Sequence, residues 1–161
     1  MGLIFNNKEI WAPSREVLYQ IPSGYDGFFL STNLDAPDID KFKSISGSNV
    51  LTLSKSIADC DNGILVYLSN QVADWDTTGS EWKHTFVPNP AVSPQKMLIK
   101  KGSPASSMTY GWYAGINTLT STGNVSVSGN QMKITTDSEA GMYAQIGGDH
   151  VFWVITSIVS Y

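Results

Sequence analysis

Residues 150–161 read HVFWVITSIVSY, and no other stretch limits the fold as tightly. The run 151–155 is wholly apolar, and after it only Thr156, Ser157 and Ser160 interrupt. Its side chains are mostly β-branched or aromatic, which suits a pleated sheet better than a helix. So much apolar surface has to leave water. The expectation is an extended strand, hidden in the middle of the chain's own sheet or against another subunit.

The rest of the chain reads as short strands and turns. Residues 16–21 (EVLYQI) alternate well enough for a strand. Pro22, Ser23 and Gly24 mark a turn, and residues 27–32 (GFFLST) are the expected hairpin partner. Residues 33–49 are rich in turn formers, with Asp35, Asp38 and Asp40 around Pro37. They predict a long surface loop with one helical turn at about 39–43. Strands are expected at 50–54 and 64–69, with Asn62-Gly63 supplying a tight reversal between them. Residues 81–87 alternate again, and Pro88, Pro90 and Pro94 then break regular structure. Strands follow at 96–100 and at 108–120, where Gly111 and Gly115 suggest a bulge or a close backbone approach. The clearest hairpin is NVSVS, Gly129-Asn130, QMKITT, with Val125 and Val127 opposite Met132 and Ile134. A last strand pair is expected at 142–146 and 150–161.

Both sides of the proline-rich loop at 88–94 carry the same kind of β material. The prediction is an all-β fold over 1–161: a single-domain antiparallel β-sandwich or barrel of about ten short strands, with little or no helix. Residues 1–15 are a candidate docking arm.

Only 15% of residues are charged, and the formal net charge is −4. Residues 1–80 carry ten acids against five bases, a net −5; residues 81–161 carry four acids against five bases, a net +1. Scattered solvated charge is the first reading of that split, and head-to-tail contact between copies the second. Neither half has a basic stripe, so no nucleic-acid partner is expected. The single cysteine, Cys60, lies in ADCDNG. One cysteine makes no intramolecular disulfide, and its flanking carboxylates raise a thiol pKa, against a reactive nucleophile. Residues 1–5 do not make a signal peptide, and no apolar run reaches membrane-spanning length, so no membrane insertion is expected.

Familiar reaction motifs are absent: no Gly-rich phosphate loop, no GxSxG and no HExxH. The chain is expected not to be an enzyme and to need no cofactor. Residues 74–79 (DWDTTG) begin like a calcium loop, with oxygens on Asp74, Asp76 and Thr78 and glycine sixth. The twelfth place is Thr85 where a bidentate glutamate belongs, so a solvated turn is the first reading and a metal site the second. Trp75, Trp82, Tyr110 and Trp112 lie near loops or on strands rich in Ser and Asn. Core or interface packing is their first role; stacking on a glycan is the second. Leu3, Ile4, Phe5 and Trp11, with Phe152 and Trp153 of the terminal strand, are the candidate oligomer or partner contacts.

A cysteine-poor chain rich in Ser, Thr and Gly, with hairpins such as VSVSGNQMKITT and the terminal strand HVFWVITSIVSY, resembles the accessory structural proteins of tailed-phage virions. These are capsid decoration proteins, head–tail and tail adaptors, and short fibre or receptor-binding domains. The resemblance implies a non-enzymatic homo-oligomer, often a trimer, that contacts other virion structural proteins. It would be made in the host cytoplasm without a signal peptide and end in the virion. The rival expectation is a carbohydrate-binding module, lectin-like or receptor-binding domain that meets a host-surface glycan through the exposed Trp and Tyr residues.

Overall fold

The computed structural model describes residues 3–5, 8–10, 15–31, 41–46, 50–75, 82–88, 94–114, 117–136, 143–146 and 149–161, with side chains for 15–29, 41–45, 50–71, 94–105, 124–135 and 153–161. Among the described residues thirteen strands follow in chain order: β1 (Leu3–Phe5), β2 (Lys8–Ile10), β3 (Gly27–Ser31), β4 (Phe42–Ser46), β5 (Val50–Thr52), β6 (Gly63–Trp75), β7 (Trp82–Pro88), β8 (Gln95–Lys100), β9 (Ala105–Ala114), β10 (Asn117–Ser128), β11 (Gln131–Thr136), β12 (Tyr143–Ile146) and β13 (Asp149–Ser160). A single 3-10 turn at Ile57–Asp59 is the helical structure among the described residues.

The apolar terminal segment is β13, and it runs through the interior of a seven-stranded sheet ordered β4-β3-β13-β6-β7, to which β12 and β8 add. One flank of β13 pairs with β6 from Asp149 opposite Asp74 to Ser160 opposite Ile64. The other flank is shared by three partners. β12 covers its start, Phe28 of β3 stands opposite Ile155, and residues 16–18 cover its end. There the Leu18 N–H donates to the Ile158 carbonyl at 2.8 Å, and the Ser160 N–H donates to the Glu16 carbonyl at 2.8 Å. The strand is hidden by its own chain.

The ladder shifts register between Ile155 and Ser157, which makes Thr156 the extra residue of a bulge. The bulge re-phases the strand. Trp153 and Ile155 are two apart, Ile155 and Ile158 three apart, yet all three are fully buried in one core cluster. An unbroken alternation would send Ile158 to the opposite face.

The second sheet runs β5-β11-β10-β9. Both sheets feed one hydrophobic cluster: Ile64, Val66 and Leu68 of β6 and Ile99 of β8 meet Val125, Val127, Met132 and Ile134 of β10 and β11 in it. Full burial of each such side chain contributes about 1.5–3 kcal/mol. The expected hairpin of β10 and β11 is present, with Val125 opposite Ile134, Val127 opposite Met132, and Gly129 at φ 59° in the turn. That positive φ matches the tight two-residue turn.

Several expectations are corrected. The two large sheets do not close into a barrel. The fold is not wholly antiparallel, because β3 and β4 run parallel. Of the helical turn expected at about 39–43, Phe42 and Lys43 belong instead to β4, from which Phe42 packs against the core, while residues 39 and 40 lie outside the described residues. Residues 16–21 do not form a hairpin with β3. β13 and β4 occupy the neighbouring places of β3, and residues 16–18 line β13 instead. The expected single strand at 108–120 is two, β9 and β10, paired from Ala114 opposite Asn117.

Asn62-Gly63 also does something other than expected. β5 pairs with β11 and β6 with β13 and β8, so no hairpin joins β5 to β6. Gly63 is required by crowding: a Cβ there would lie 2.1 Å from the Ile99 carbonyl oxygen, at φ +149°. Gly63→Ala should therefore lower stability by about 3 kcal/mol. Gly102→Ala, whose Cβ meets nothing within 4 Å, should stay within about 0.5 kcal/mol of wild type. Ile158→Ala should cost about 2–5 kcal/mol. Urea denaturation midpoints check all three, and equal midpoints for the two glycine variants would contradict the crowding argument.

Candidate interaction surface

β6 has two working faces. Its even-numbered residues from Ile64 to Leu68 enter the core, and Leu65 and Tyr67 between them lie on the outer side of the sheet. Register then builds a row across four chain segments on that outer side: Val17 opposite Val159, Val159 opposite Leu65, Leu65 opposite Leu98. With strands about 4.8 Å apart the row is about 14 Å wide. Leu65 and Val159 are buried at its centre, while Val17 at its rim is 52% exposed.

Tyr161 stands two residues beyond Val159, on the same side of the strand, and is 43% exposed. It extends the ladder: its N–H donates to the Gly63 carbonyl at 2.8 Å, and the Gly63 N–H donates back to the Tyr161 oxygen at 2.8 Å. Lys100 faces Gly63 from β8.

Cations ring the row. Tyr67 lies between Ser157 and Lys96 in the register. The Arg15 guanidinium donates to the Tyr67 hydroxyl, and the Lys96 ammonium sits 5.7 Å from the centre of the Tyr67 ring. A cation over an aromatic face at an exposed site contributes about 0.5–1 kcal/mol. The nearby acid, Glu16, is already engaged, because the Lys55 ammonium donates to its carboxylate at 3.2 Å. That hydrogen bond is the first cause of a raised Lys55 pKa. The face therefore offers an apolar strip, a tyrosine and three cations, Arg15, Lys96 and Lys100. Such a surface suits an anionic partner with some apolar area.

The sites expected from the sequence are distributed differently. Trp75 and Trp82 are opposite each other across β6 and β7, whereas Tyr110 and Trp112 are on β9, opposite Ser121 and Leu119 of β10. The four aromatics thus form two pairs on two sheets, and their side chains lie outside the described residues. Asp74 is opposite Asp149 in the register, and Asp76 and Thr78 lie outside the described residues. Among the described residues no group of three or more His, Cys, Asp or Glu side chains could hold a metal ion. Leu3, Ile4 and Phe5 form β1 and pair with β2 as a separate two-stranded sheet. Trp11 lies outside the described residues, and Phe152 is placed by register alone, opposite Gln71 and Tyr143. Trp153 is corrected as a partner contact: it is wholly buried in the chain's own core, where the re-phased strand sends it.

Sequence reading did not single out Val17, Tyr67, Leu98 or Tyr161.

Cys60 is buried, with its thiol 3.6 Å from the Ser56 carbonyl oxygen. Burial is the first cause pushing its pKa up, Glu16 and Asp59 add to it, and Lys55 and Lys101 oppose it. The direction matches the sequence expectation, but burial outweighs the carboxylates. A folded pKa above the unfolded one means that folding retains the proton, so this contribution is full below the thiol's ordinary 9.0 and is lost as pH rises through the folded value. Iodoacetamide should label native Cys60 at least about tenfold more slowly than the urea-unfolded chain. Cys60→Val should flatten the decline of stability above about pH 9. Equal labelling rates, or an unchanged decline, would refute this account.

No family model, no curated protein and no solved structure matches this chain.

Proposed function

We propose that this chain is a structural component of a tailed-phage virion, of the capsid-decoration, adaptor or fibre type. In this reading the two sheets stack as a β-sandwich, and the protein works through contacts with its own copies and with neighbouring virion proteins, without a reaction of its own. The observation that carries the reading is the outer face of the seven-stranded sheet. An apolar strip with Val17 and Tyr161 open to water, ringed by three cations, has the make-up of a contact surface. The shared core supports the sandwich, since stacked sheets bury their inner faces together. The test is the protein content of purified particles of the phage that encodes the chain. The chain should be present in a copy number that follows particle symmetry; its absence from particles would end this reading.

A second reading draws on the register of Trp75 opposite Trp82. Paired tryptophans at a strand end are a starting point for stacking on a sugar, as in a lectin-like or receptor-binding domain that engages a host-surface glycan. A glycan array should then show binding that Trp75→Ala abolishes. Trp112→Ala, on the other sheet, should leave that binding intact if only the β6–β7 pair takes part. No binding to any glycan would remove this second reading and leave the first untouched.

A further inference from the structure

Among the described residues β8 is an edge strand. It pairs with β6 on one side, and its other side meets only the turn in which Ser103 faces Lys100. The ladder fixes which backbone groups that edge leaves open. Gly63 exchanges both of its hydrogen bonds with Tyr161 on the β13 side, each at 2.8 Å. Successive residues of a strand turn their N–H and C=O to opposite edges, so Ile64 and Val66 turn theirs toward β8. Their partners there are Ile99 and Met97. Lys96, Leu98 and Lys100 therefore point their backbone groups away from β6. The Lys101 N–H donates to the Asn62 carbonyl at 2.8 Å and the Ser103 N–H to the Lys100 carbonyl at 3.0 Å, as this phase requires. Apart from that bond to Lys100, the outward groups of Lys96, Leu98 and Lys100 have no partner among the described residues.

The side chains of the same residues lie on the outer side of the sheet. Lys96 and Lys100 are exposed, and Leu98 is half-buried at the open end of the row that runs from Val17 through Val159 and Leu65. Neither lysine has a carboxylate partner among the described residues, and Glu16 is held by Lys55. Of the other cations nearby, Arg15 is bonded to Tyr67, and the Lys101 ammonium donates to the Cys60 carbonyl at 3.2 Å. The edge thus presents cation, apolar side chain and cation at every second residue, beside open N–H and C=O groups. Opposite charges facing each other across a ladder are stabilising, and like charges are destabilising. A second β8 is therefore the wrong occupant, because an antiparallel pair centred on Leu98 sets Lys96 against Lys100. Nor does this chain carry a complement, since no two acids in its 161 residues are four places apart.

We propose that the β8 edge accepts an extended segment of another protein, in which an apolar residue has an acid two places away on each side. The added strand takes its hydrogen bonds from the backbone of Lys96, Leu98 and Lys100. Its apolar residue lengthens the row beyond Leu98, and its carboxylates meet the two ammonium groups. The lysines keep copies of the edge apart and admit an acidic strand. The inference goes beyond the virion reading and stands without it.

The probe is a blocked synthetic peptide, TTETVTETT, added to the full wild-type chain, with TTKTVTKTT as its control. At about 1 mM the first peptide should slow amide hydrogen exchange at Lys96 and Leu98 by about tenfold or more, read by NMR, and the control should not. Methylating the valine nitrogen, which faces Leu98, should abolish that protection, whereas methylating a neighbouring threonine nitrogen, which faces away, should leave it. Lys96→Glu with Lys100→Glu should reverse the preference between the two peptides. No protection by TTETVTETT, equal protection by both peptides, or indifference to the methylated valine would overturn the proposal. Protection of Leu98 by self-association without peptide would overturn it in favour of a second copy. Binding to phosphatidylserine vesicles with no response to the peptide would overturn it in favour of a lipid surface. A chain that binds the peptide but is missing from phage particles would end the virion reading alone, and a chain found in particles that ignores the peptide would end this one alone.

Discussion

The pairing of β13 with β6 is the interaction on which the rest depends. Each strand is an interior member of the larger sheet, and they stay paired from Asp149/Asp74 to Ser160/Ile64. Through this ladder Trp153, Ile155 and Ile158 reach the same core as Ile64, Val66 and Leu68. Interior strands lose all contact with water along both edges, so their backbone groups must be satisfied by neighbours. That is why three separate segments, β12, β3 and residues 16–18, are recruited to the second flank of β13.

The same ladder makes the outer face. Once the bulge at Thr156 has turned Ile158 inward, Val159 and Tyr161 are committed to the other side, and register places them beside Leu65 and Gly63. Val17 joins them because residues 16–18 are held by Ile158 and Ser160. No residue in this strip is conspicuous alone. Four pieces of chain far apart in sequence become one surface through hydrogen bonding of the backbone, and the side chains follow the pleat.

Legibility in the sequence tracked how local each feature is. The β10–β11 hairpin was readable because its turn, its alternation and its register all lie within residues 124–136. The terminal strand was readable because a run as apolar as HVFWVITSIVSY has few ways to be satisfied. The parallel β3–β4 pair was hidden, since neither strand records its partner and FKSIS resembles a helical turn as much as a strand. Gly63 was noticed for its freedom in turns, yet its role is set by the Ile99 carbonyl on β8, which no local pattern reveals. Trp153 was assigned to a partner because the strand was readable and its flanks were not. Of the interaction surface nothing was singled out beforehand, because it depends on pairings between residues as distant as Val17 and Val159.

The placement of β13 has a consequence for synthesis. It is translated after every other described strand, yet it belongs at the centre of the larger sheet. Until residues 149–160 leave the ribosome, the long edge of β6 that they will cover stands open, and an open apolar edge is what neighbouring nascent chains adhere to. Contacts this distant in sequence also form slowly. The larger sheet therefore cannot be completed until β13 is made, whereas the hairpin of β10 and β11 can form while that centre is still missing.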